Sequence, residues 1–401
     1  GVEYFVHFSV VTRQAEPLIP IGHEIAQEQF RLPLETEKDS YEASGKALGW
    51  KAENGKVVVS SSNVYFELDK ATGMVTSYKV NGTEFFDKAF GVQPNFWRAP
   101  NDNDYGNSNP KRLQIWKESS RDFKVSDTAV REEGETVLMS VTYDLPAGNQ
   151  YLITYRIYRD GVVNVNVKFT QTDREAEKTE VLEDTNLATF TPGKKVKKKD
   201  VLEVPRIGVR FRIPHVMNRV EYFGRGPVEN YVDRNAGSMV GRYKTSVEEM
   251  YVNYVRPQEN GHRTDTRWVS FTNTVGRGLL VLAEKTIGFN ALQNTVEDFD
   301  SEESSHPYQW RNRSPKEVAG KNEAEAKNVL RRMTHVNDIT PRDFVEVCID
   351  MKQQGVAGYD SWGAKVQPGY TIPANRDYVW GFTLIPIKNV GDVNKSLRYT
   401  Y

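Results

Sequence analysis

The sequence predicts an all-β protein whose main part is a large antiparallel β-sandwich. Apolar and polar residues alternate over much of the chain, as in residues 64–69, where Val, Phe and Leu alternate with Tyr, Glu and Asp. Turn pairs such as Asn81-Gly82 and Asp160-Gly161 separate these segments at the spacing of β-hairpins. Patterns typical of amphipathic helices are scarce. Alternating strands without helical crossovers form antiparallel sheets with one buried face and one exposed face.

Two hairpins are the clearest elements. The first is predicted from a strand over residues 64–68, a turn at 70–73 and a return strand over 74–80. The second consists of strands over residues 151–159 and 163–169. Because they carry β-branched or aromatic residues with flanking Gly or Pro, further strands are predicted over residues 207–213, 219–223, 266–273, 278–284, 343–351 and 378–387.

A few segments favour helix or irregular structure. A weak apolar stripe predicts a helix within residues 320–333, and a shorter helix is predicted around residues 110–116. The stretch over residues 297–313 is acidic and rich in Ser and turn residues. We therefore expect an exposed loop there.

The start of the chain predicts a separate structural unit. Residues 4–10 carry apolar side chains at alternate positions, which indicates a strand. A strand needs pairing partners, and few other strands precede the polar stretch that follows. We expect residues 1–36 to be the C-terminal part of a small β-sandwich, residues 37–55 to be a linker, and residues 56–401 to be the large sandwich.

Composition excludes several function classes. The 401 residues include 53 Lys and Arg against 54 Asp and Glu, so no charge excess is available to attract nucleic acid or an anionic membrane. The basic run at residues 194–199 follows Pro192-Gly193 and is interpreted as a solvated hairpin tip. No window is apolar enough to span a bilayer. The single cysteine, Cys348, excludes an internal disulfide and a cysteine-rich metal site.

Four polar clusters are the candidates for chemistry. They are residues 96–106, 224–234, 256–263 and 358–363. Each combines charge with Gly or Pro, as buried hydrogen-bonded turns require, and a structural role is favoured for most of them. The first cluster, Phe96-Trp97-Arg98-Ala99-Pro100-Asn101-Asp102-Asn103-Asp104, is too polar for a core strand and too aromatic for a solvated loop. It predicts a buried polar corner.

Motifs for metal and nucleotide sites are excluded by their spacing. A calcium loop that started at Asn101 would place Tyr105 and Arg112 where oxygen donors are needed. The six histidines never fall at a spacing that would put two of them on one zinc ion, and there is no nucleophile elbow, phosphate loop or dinucleotide fingerprint. We therefore predict no metal and no cofactor in this chain.

The motifs of these four clusters resemble the C-terminal domain of the large bacterial β-galactosidases of glycoside hydrolase family 2. They are, in this order, residues 96–104, 224–234, 254–263 and 359–362. Residues 22–30 resemble the end of the immunoglobulin-like domain that precedes it in that family. The resemblance implies a galactose mutarotase-like supersandwich for the large domain. It also implies a homo-oligomeric bacterial parent enzyme that hydrolyses terminal β-D-galactosides such as lactose, and it does not decide between cytoplasm and periplasm.

The resemblance also implies that the bond-breaking residues lie outside this chain. Retaining glycosidases need two carboxyl groups about 5 Å apart. In the family both glutamates, together with magnesium and sodium sites, belong to a (β/α)₈ barrel, and no segment here has the alternation of buried strand and helix that builds one. We expect a C-terminal fragment that is inactive alone and whose partner is the barrel of the same polypeptide.

Trp362 is the candidate sugar-binding residue. In the family, the tryptophan of an Asp-Ser-Trp motif in this domain reaches the mouth of the barrel and forms a platform for the substrate. A pyranose suits such a ring because its apolar C–H face stacks on the indole. Gly358 and Gly363 would permit the tight backbone, and the alternative is that Trp362 packs in the core. The expected supporting residues are Asp360, Ser361, Arg98, Asn101, Asp102, Asp104, Glu259, Asn260, His262 and Arg263.

Two other functions are compatible with the residues. The first is an independent carbohydrate-binding module, which the polar sheet faces and the content of 11% aromatic residues permit. The second is an aldose 1-epimerase, which would need a histidine and a carboxylate in one pocket. His262 and Glu259 are the only nearby pair of that kind, and His262 itself is an accessory candidate because the best-known homologue carries another residue there.

Overall fold

The computed structural model describes residues 2–34, 36–145, 148–171, 203–300, 335–360, 363–389 and 391–401. Most of the regular structure is antiparallel β-sheet, which confirms the predicted fold class. The strands are β1 (Phe5–Val11), β2 (Glu24–Arg31), β3 (Asp39–Ser40), β4 (Gly49–Glu53), β5 (Lys56–Ser60), β6 (Val64–Asp69), β7 (Val75–Val80), β8 (Thr83–Glu84), β9 (Gln93–Asn95), β10 (Lys124–Glu133), β11 (Thr136–Asp144), β12 (Gln150–Ile157), β13 (Val163–Thr170), β14 (Arg206–Pro214), β15 (Arg219–Gly226), β16 (Met239–Ser246), β17 (Arg263–Thr272), β18 (Gly278–Leu292), β19 (Phe344–Gln353), β20 (Tyr378–Ile387) and β21 (Tyr399–Thr400). The helices are α1 (Asp102–Gly106), α2 (Asn109–Arg112), α3 (Gln114–Ser119), α4 (Val247–Met250), α5 (Val296–Phe299) and α6 (Gly391–Ser396), with 3₁₀ turns at Asp87–Ala89, Val336–Asp338 and Pro368–Tyr370.

One large sheet dominates the molecule, and β18 connects its two parts. The main path runs β10-β11-β12-β13-β20-β18-β17-β15-β16, and β19, β14 and β9 branch from it. The first half of β18 pairs with β20, whereas its second half pairs with β19. Residues 284–286 in the middle of β18 are exposed, while the rest of the strand is buried. A single long strand thus joins both parts of the curved sheet.

A smaller sheet, β4 to β8, packs against the large one. Its inner side chains belong to one continuous core with those of β11 to β15 and β17 to β20. For example, the ring of Phe66 lies 5.4 Å from that of Tyr155, which is fully buried. Each large apolar side chain that is buried in this way contributes about 1.5 to 3 kcal/mol. The alternation of apolar residues along the strands therefore fixes which face of each sheet turns inward.

The N-terminal segment with the hairpin β1–β2 makes polar contacts with β17 and β16 of the large sheet. The Glu3 carboxylate pairs with the Arg267 guanidinium, with an Oε2–Nε distance of 2.6 Å. The side-chain amide of Gln29 donates to the Val240 carbonyl (2.8 Å) and accepts from the Val240 N–H (2.9 Å). Val240 belongs to β16, which ends the main path of the sheet. One glutamine side chain thus binds both polar groups of an edge-strand residue.

The structure confirms both predicted hairpins and the six further strands. Most bounds agree within a few residues, and β18 continues eight residues beyond its predicted end at residue 284. The helix predicted around residues 110–116 is present as α2 and α3, interrupted at Leu113. The hairpin β10–β11 was not predicted. The helix expected within residues 320–333 and the basic run at residues 194–199 lie outside the described residues.

Two expectations about irregular segments need correction. The first residues of the loop expected over 297–313 form α5, and Phe299 and Asp300 are buried rather than exposed, because Asp300 accepts from the Trp97 indole N–H (2.8 Å). Residues 301–313 lie outside the described part. The range 37–55, interpreted as a linker, contains β3 and β4, and β4 pairs with β5 of the small sheet. The domain boundaries otherwise stay predictions.

In the part of the chain that the structure describes, no helix has the length and apolar character needed to cross a membrane.

Candidate functional site

The predicted polar corner is built at the start of α1. Asn101 caps this helix: its side-chain oxygen accepts from the Asp104 N–H (2.9 Å), and the Asp104 carboxylate accepts from the Asn101 N–H (3.1 Å). This reciprocal arrangement satisfies donors that a helix N-terminus otherwise leaves unpaired. It also fixes the direction of the Asp104 carboxylate toward Arg98.

Arg98 connects α1 to the segment that follows β19. Its Nη2 donates to both oxygens of Asp104 (2.9 and 3.1 Å) and to the Gly355 carbonyl (3.0 Å), while Nη1 donates to the Gln354 carbonyl (3.0 Å). Both charged side chains are almost completely buried. A buried charge needs such a set of partners, because an unpaired one is costly.

The same segment is held from its other side by Asp233. The Asp233 carboxylate accepts from the Val356 N–H (3.0 Å) and the Ala357 N–H (2.9 Å). The side chains of Asn101 and Asn103 donate to the Val356 carbonyl (3.4 and 3.1 Å). We call Arg98, Asn101, Asn103, Asp104 and Asp233 the clamp, because they fix the backbone of residues 354–357 from opposite sides.

The chain leaves the clamp at Gly358 and contacts the end of α1 again at Gly363 and Ala364. Gly358 and Gly363 both have positive φ, at +95° and +85°, which glycine adopts without strain. Asp360 accepts from the Ala364 N–H (3.3 Å), and Asn107 donates to the Ala364 carbonyl (3.2 Å). Ser361 and Trp362 lie outside the described residues, so the sugar platform stays a prediction.

Gly363 offers a direct test of this close packing. A Cβ on Gly363 would lie 2.5 Å from the Gly106 carbonyl oxygen, and the positive φ would add strain. We expect Gly363→Ala to lower the free energy of unfolding by about 1 to 3 kcal/mol, as measured by denaturant unfolding. Gly369→Ala is the matched control, because a Cβ there meets no atom within 4 Å. Equal losses in the two variants would contradict the packing described here.

Asp102 differs from its neighbours in the first cluster. Its side chain is 73% exposed and pairs with Arg256 at 3.2 Å, so it is not part of the buried corner. Arg256 in turn lies over the Tyr105 ring, 3.8 Å from its centroid. Burial raises the pKa of Tyr105 to about 12. Asp102 therefore belongs to the exposed surface, whereas the buried corner is formed by Arg98, Asn101 and Asp104.

A second buried group, the Arg206 cluster, lies at the end of β19 directly before the clamp. It consists of Arg206, Glu259, His262, Asp350 and Gln353. The Arg206 guanidinium contacts Glu259 Oε1 (3.0 Å) and Asp350 Oδ2 (3.2 Å) and donates to the Gln353 side-chain oxygen. His262 Nδ1 lies 3.8 Å from Asp350 Oδ2. Two acids thus share one guanidinium at buried positions.

Burial controls protonation in the Arg206 cluster. It raises the pKa of Asp350 to about 7, although the neighbouring Arg206 charge opposes the shift, and it raises the pKa of Glu259 in the same way. Burial and the nearby guanidinium groups hold the pKa of His262 well below its usual range, so this imidazole is neutral. His262 and Glu259 are 1% and 5% exposed, so a sugar could not reach the pair without rearrangement.

Asn260 and Arg263 hold the loop between α4 and β17 rather than joining the clamp. The Asn260 side chain accepts from the Val252 N–H (3.2 Å) and donates to the Gln258 carbonyl (2.9 Å). Arg263 donates to the Tyr222 hydroxyl (3.2 Å) and the Gly261 carbonyl (3.0 Å). These contacts fix the loop itself, and a supporting role of Asn260 and Arg263 at the sugar site stays a prediction.

Sequence reasoning did not single out Arg206, Asp350 or the individual role of Asp233. A usable signal existed for Asp350, because it is a charged residue inside a strand that is otherwise rich in apolar residues. Among the described residues, no group of three or more His, Cys, Asp or Glu side chains is arranged to hold a metal ion.

Comparisons with known proteins place these features in a family. The family model described as beta galactosidase small chain matches residues 60–384. A beta-galactosidase from Priestia megaterium is 33% identical over 368 residues, which are 91% of this chain and 30% of that protein. A beta-galactosidase from Streptococcus thermophilus is 27% identical over 388 residues, or 96% of this chain and 32% of that protein. The chain therefore spans about a third of the length of these curated relatives.

Solved structures show a more distant likeness. Galactose 1-epimerase from Lactobacillus acidophilus NCFM matches 86% of this chain and 99% of its own, with 6% identity and a TM-score of 0.41. A galactose mutarotase related enzyme from Lactobacillus acidophilus matches 83% of this chain and 98% of its own, with 9% identity and a TM-score of 0.35. Both TM-scores are too low to carry an argument. The family model, by contrast, matches most of the chain, and the chain therefore belongs to the beta galactosidase small chain family.

Proposed function

We propose that this chain is the C-terminal, non-barrel part of a retaining β-galactosidase and that it lends Trp362 to the sugar site of that enzyme. In this proposal the two catalytic carboxylates lie elsewhere in a longer polypeptide, within a (β/α)₈ barrel. The substrates are terminal β-D-galactosides such as lactose.

The observation that carries the proposal is the clamp. It fixes residues 354–357, and the contacts of Gly363 and Ala364 with the end of α1 fix the other side of the turn. A ring that serves as a sugar platform has to be held in one place, because each degree of freedom lost on binding weakens the complex. The buried charged network holds the backbone at residues 354–357 and at residues 363–364, on either side of the segment that carries Trp362. The surrounding surface, with Tyr359 at 63% exposure, stays free for a neighbouring domain.

The acids of the Arg206 cluster support the assignment of cleavage to another domain. Glu259 and Asp350 are both buried and both contact Arg206. A retaining glycosidase needs its two carboxyl groups on either side of the scissile bond, about 5 Å apart. Carboxyl groups that are enclosed in this way do not reach a glycosidic oxygen.

Activity measurements test the proposal. We expect no hydrolysis of a chromogenic β-galactoside by the purified chain and clear hydrolysis by the full-length polypeptide. In the full-length enzyme, Trp362→Ala should lower kcat/KM by about 5- to 150-fold, equivalent to a loss of about 1 to 3 kcal/mol for one aromatic anchor.

Trp50→Ala is the matched control, because Trp50 is a partly exposed residue of β4 in the small sheet. We expect its kcat/KM to stay within about twofold of the parent value. Hydrolysis by the purified chain, with contaminating enzyme excluded, would overturn the proposal that the catalytic carboxylates lie outside this chain. An unchanged kcat/KM in Trp362→Ala would overturn the role of that ring.

A further inference from the structure

A large cavity is lined by none of the described residues of the proposed sugar site. It has a volume of about 750 Å³ and is formed where the segment after β3, the β12–β13 turn, the end of β20 and the C-terminal residues meet. Its size falls within the range of small-molecule sites in proteins, about 300 to 1,000 Å³. Neither the clamp nor the Arg206 cluster contributes to its lining.

Tyrosine rings form one wall of this cavity. Tyr41, Tyr399 and Tyr401 line it, and the Tyr41 ring lies 4.3 Å from the Tyr401 ring and 5.5 Å from the Tyr399 ring, centroid to centroid. The Tyr158 ring packs on the far side of Tyr41 at 5.4 Å. The rings therefore support one another and present a partly exposed aromatic surface that needs no reorganisation on binding.

The rest of the lining combines apolar residues with polar side chains of mixed charge. It includes Glu42, Asp160 and Asp392 together with Arg159, Arg277, Lys388 and Lys395. Asp160 already accepts from the Tyr41 hydroxyl and the Val162 N–H, and Asp392 accepts from the N–H groups of Lys388 and Asn389. An anion would meet these carboxylates, and a cation would meet the four basic side chains. A neutral polar ligand suits the cavity best.

A saccharide is a neutral ligand with both properties that this lining calls for. It stacks on aromatic rings, and it forms hydrogen bonds with amide, hydroxyl and charged side chains. Its C–H faces suit the tyrosine wall, and its hydroxyls suit the exposed side chains of Asn63, Glu42 and Lys395. We propose that this cavity is a second saccharide-binding site, separate from Trp362 and without a catalytic role. The proposal does not depend on the proposed function, because no residue of the described clamp takes part.

Binding of lactose, cellobiose and maltotriose to the purified chain tests the site. We expect saturation-transfer NMR to detect at least one of these sugars, and hydrogen exchange to show protection at residues 41–45 and 396–401 when it is bound. Asn63→Ala and Glu42→Gln, both at exposed positions, should each weaken binding by about 3- to 10-fold, as for one lost hydrogen bond. Tyr399→Leu should abolish most of the saturation transfer while retaining an apolar side chain.

The controls separate this site from the one proposed around Trp362. The exposed variant Gln27→Ala, whose residue does not line the cavity, should leave saccharide binding within about twofold. Each variant is compared only if its melting temperature matches that of the parent chain. The proposal is wrong if none of the three sugars binds. It is also wrong if Trp362→Ala abolishes the binding, or if binding is unchanged in all three cavity variants, Asn63→Ala, Glu42→Gln and Tyr399→Leu. Binding of inorganic phosphate in place of the sugars would overturn the assignment to a neutral ligand.

Discussion

Replacement of Arg98 by methionine should lower the free energy of unfolding by about 3 to 5 kcal/mol. The Arg98 side chain is 2% exposed, and it supplies the cation for Asp104 and donors for two backbone carbonyls. Arg98→Met fills a similar volume but leaves the Asp104 carboxylate buried without its partner. Denaturant unfolding followed by circular dichroism at neutral pH measures the loss.

The matched variant is Arg256→Met. Arg256 pairs with the exposed Asp102 at the surface, where an ion pair is worth about 1 kcal/mol or less. We also expect faster amide hydrogen exchange in residues 354–360 of Arg98→Met and not of Arg256→Met, because Arg98, unlike Arg256, bonds that backbone. Similar stability losses and similar exchange in both variants would show that Arg98 does not act as a clamp.

Asp350 should make stability depend on pH. Burial raises the pKa of this carboxyl from 3.8 to about 7 in the folded protein, with Arg206 opposing the shift and Glu259 adding to it. Between these two values the folded state holds a proton that the unfolded chain has released. The free energy of unfolding therefore falls as the pH rises from about 4 to about 7, by about 4 kcal/mol for this group. Below about pH 4 the Asp350 carboxyl is protonated in both the folded and the unfolded state, so it no longer lowers the free energy of unfolding.

Asp350→Asn isolates this contribution, because asparagine cannot ionise. The carboxyl is surrounded by Glu259, His262, Arg206 and Cys348, and these residues are the same in the parent and in Asp350→Asn. The difference between the two proteins in free energy of unfolding, measured as a function of pH, therefore reports on Asp350. We expect the variant to gain stability relative to the parent as the pH rises through the window. Asp127→Asn, an exposed change on β10, should give no such gain. Parallel curves for the parent and Asp350→Asn would disprove the buried proton.

The strands that could be predicted are those that are buried on one face. In β6, β12 and β13 the apolar residues alternate because one side of the sheet meets the core. β10 lies at the end of the sheet and has no buried residue, so its sequence carries no clear apolar pattern. Burial alone did not decide the outcome, because β11 was also missed although five of its nine residues are buried.

The candidate site also contains contacts that the sequence can predict and contacts that it cannot. Arg98 and Asp104 are six residues apart, and their pairing could be anticipated from one motif. Asp233 binds amide groups more than a hundred residues further along the chain, and Arg206 meets Asp350 only because β14 and β19 pair in one register. Gly208 belongs to the same arrangement, since a Cβ there would overlap the Asp350 carboxylate. Contacts that depend on strand register are not visible in a single sequence.

The bond pattern between Gln29 and Val240 has a consequence for solubility. An open strand at the border of a sheet offers free peptide groups on which a foreign chain can add, and this is a common route to aggregation. At Val240 both peptide groups are already engaged by a side-chain amide that imitates a neighbouring strand without continuing one. The N-terminal hairpin thus blocks templated growth at this position of β16.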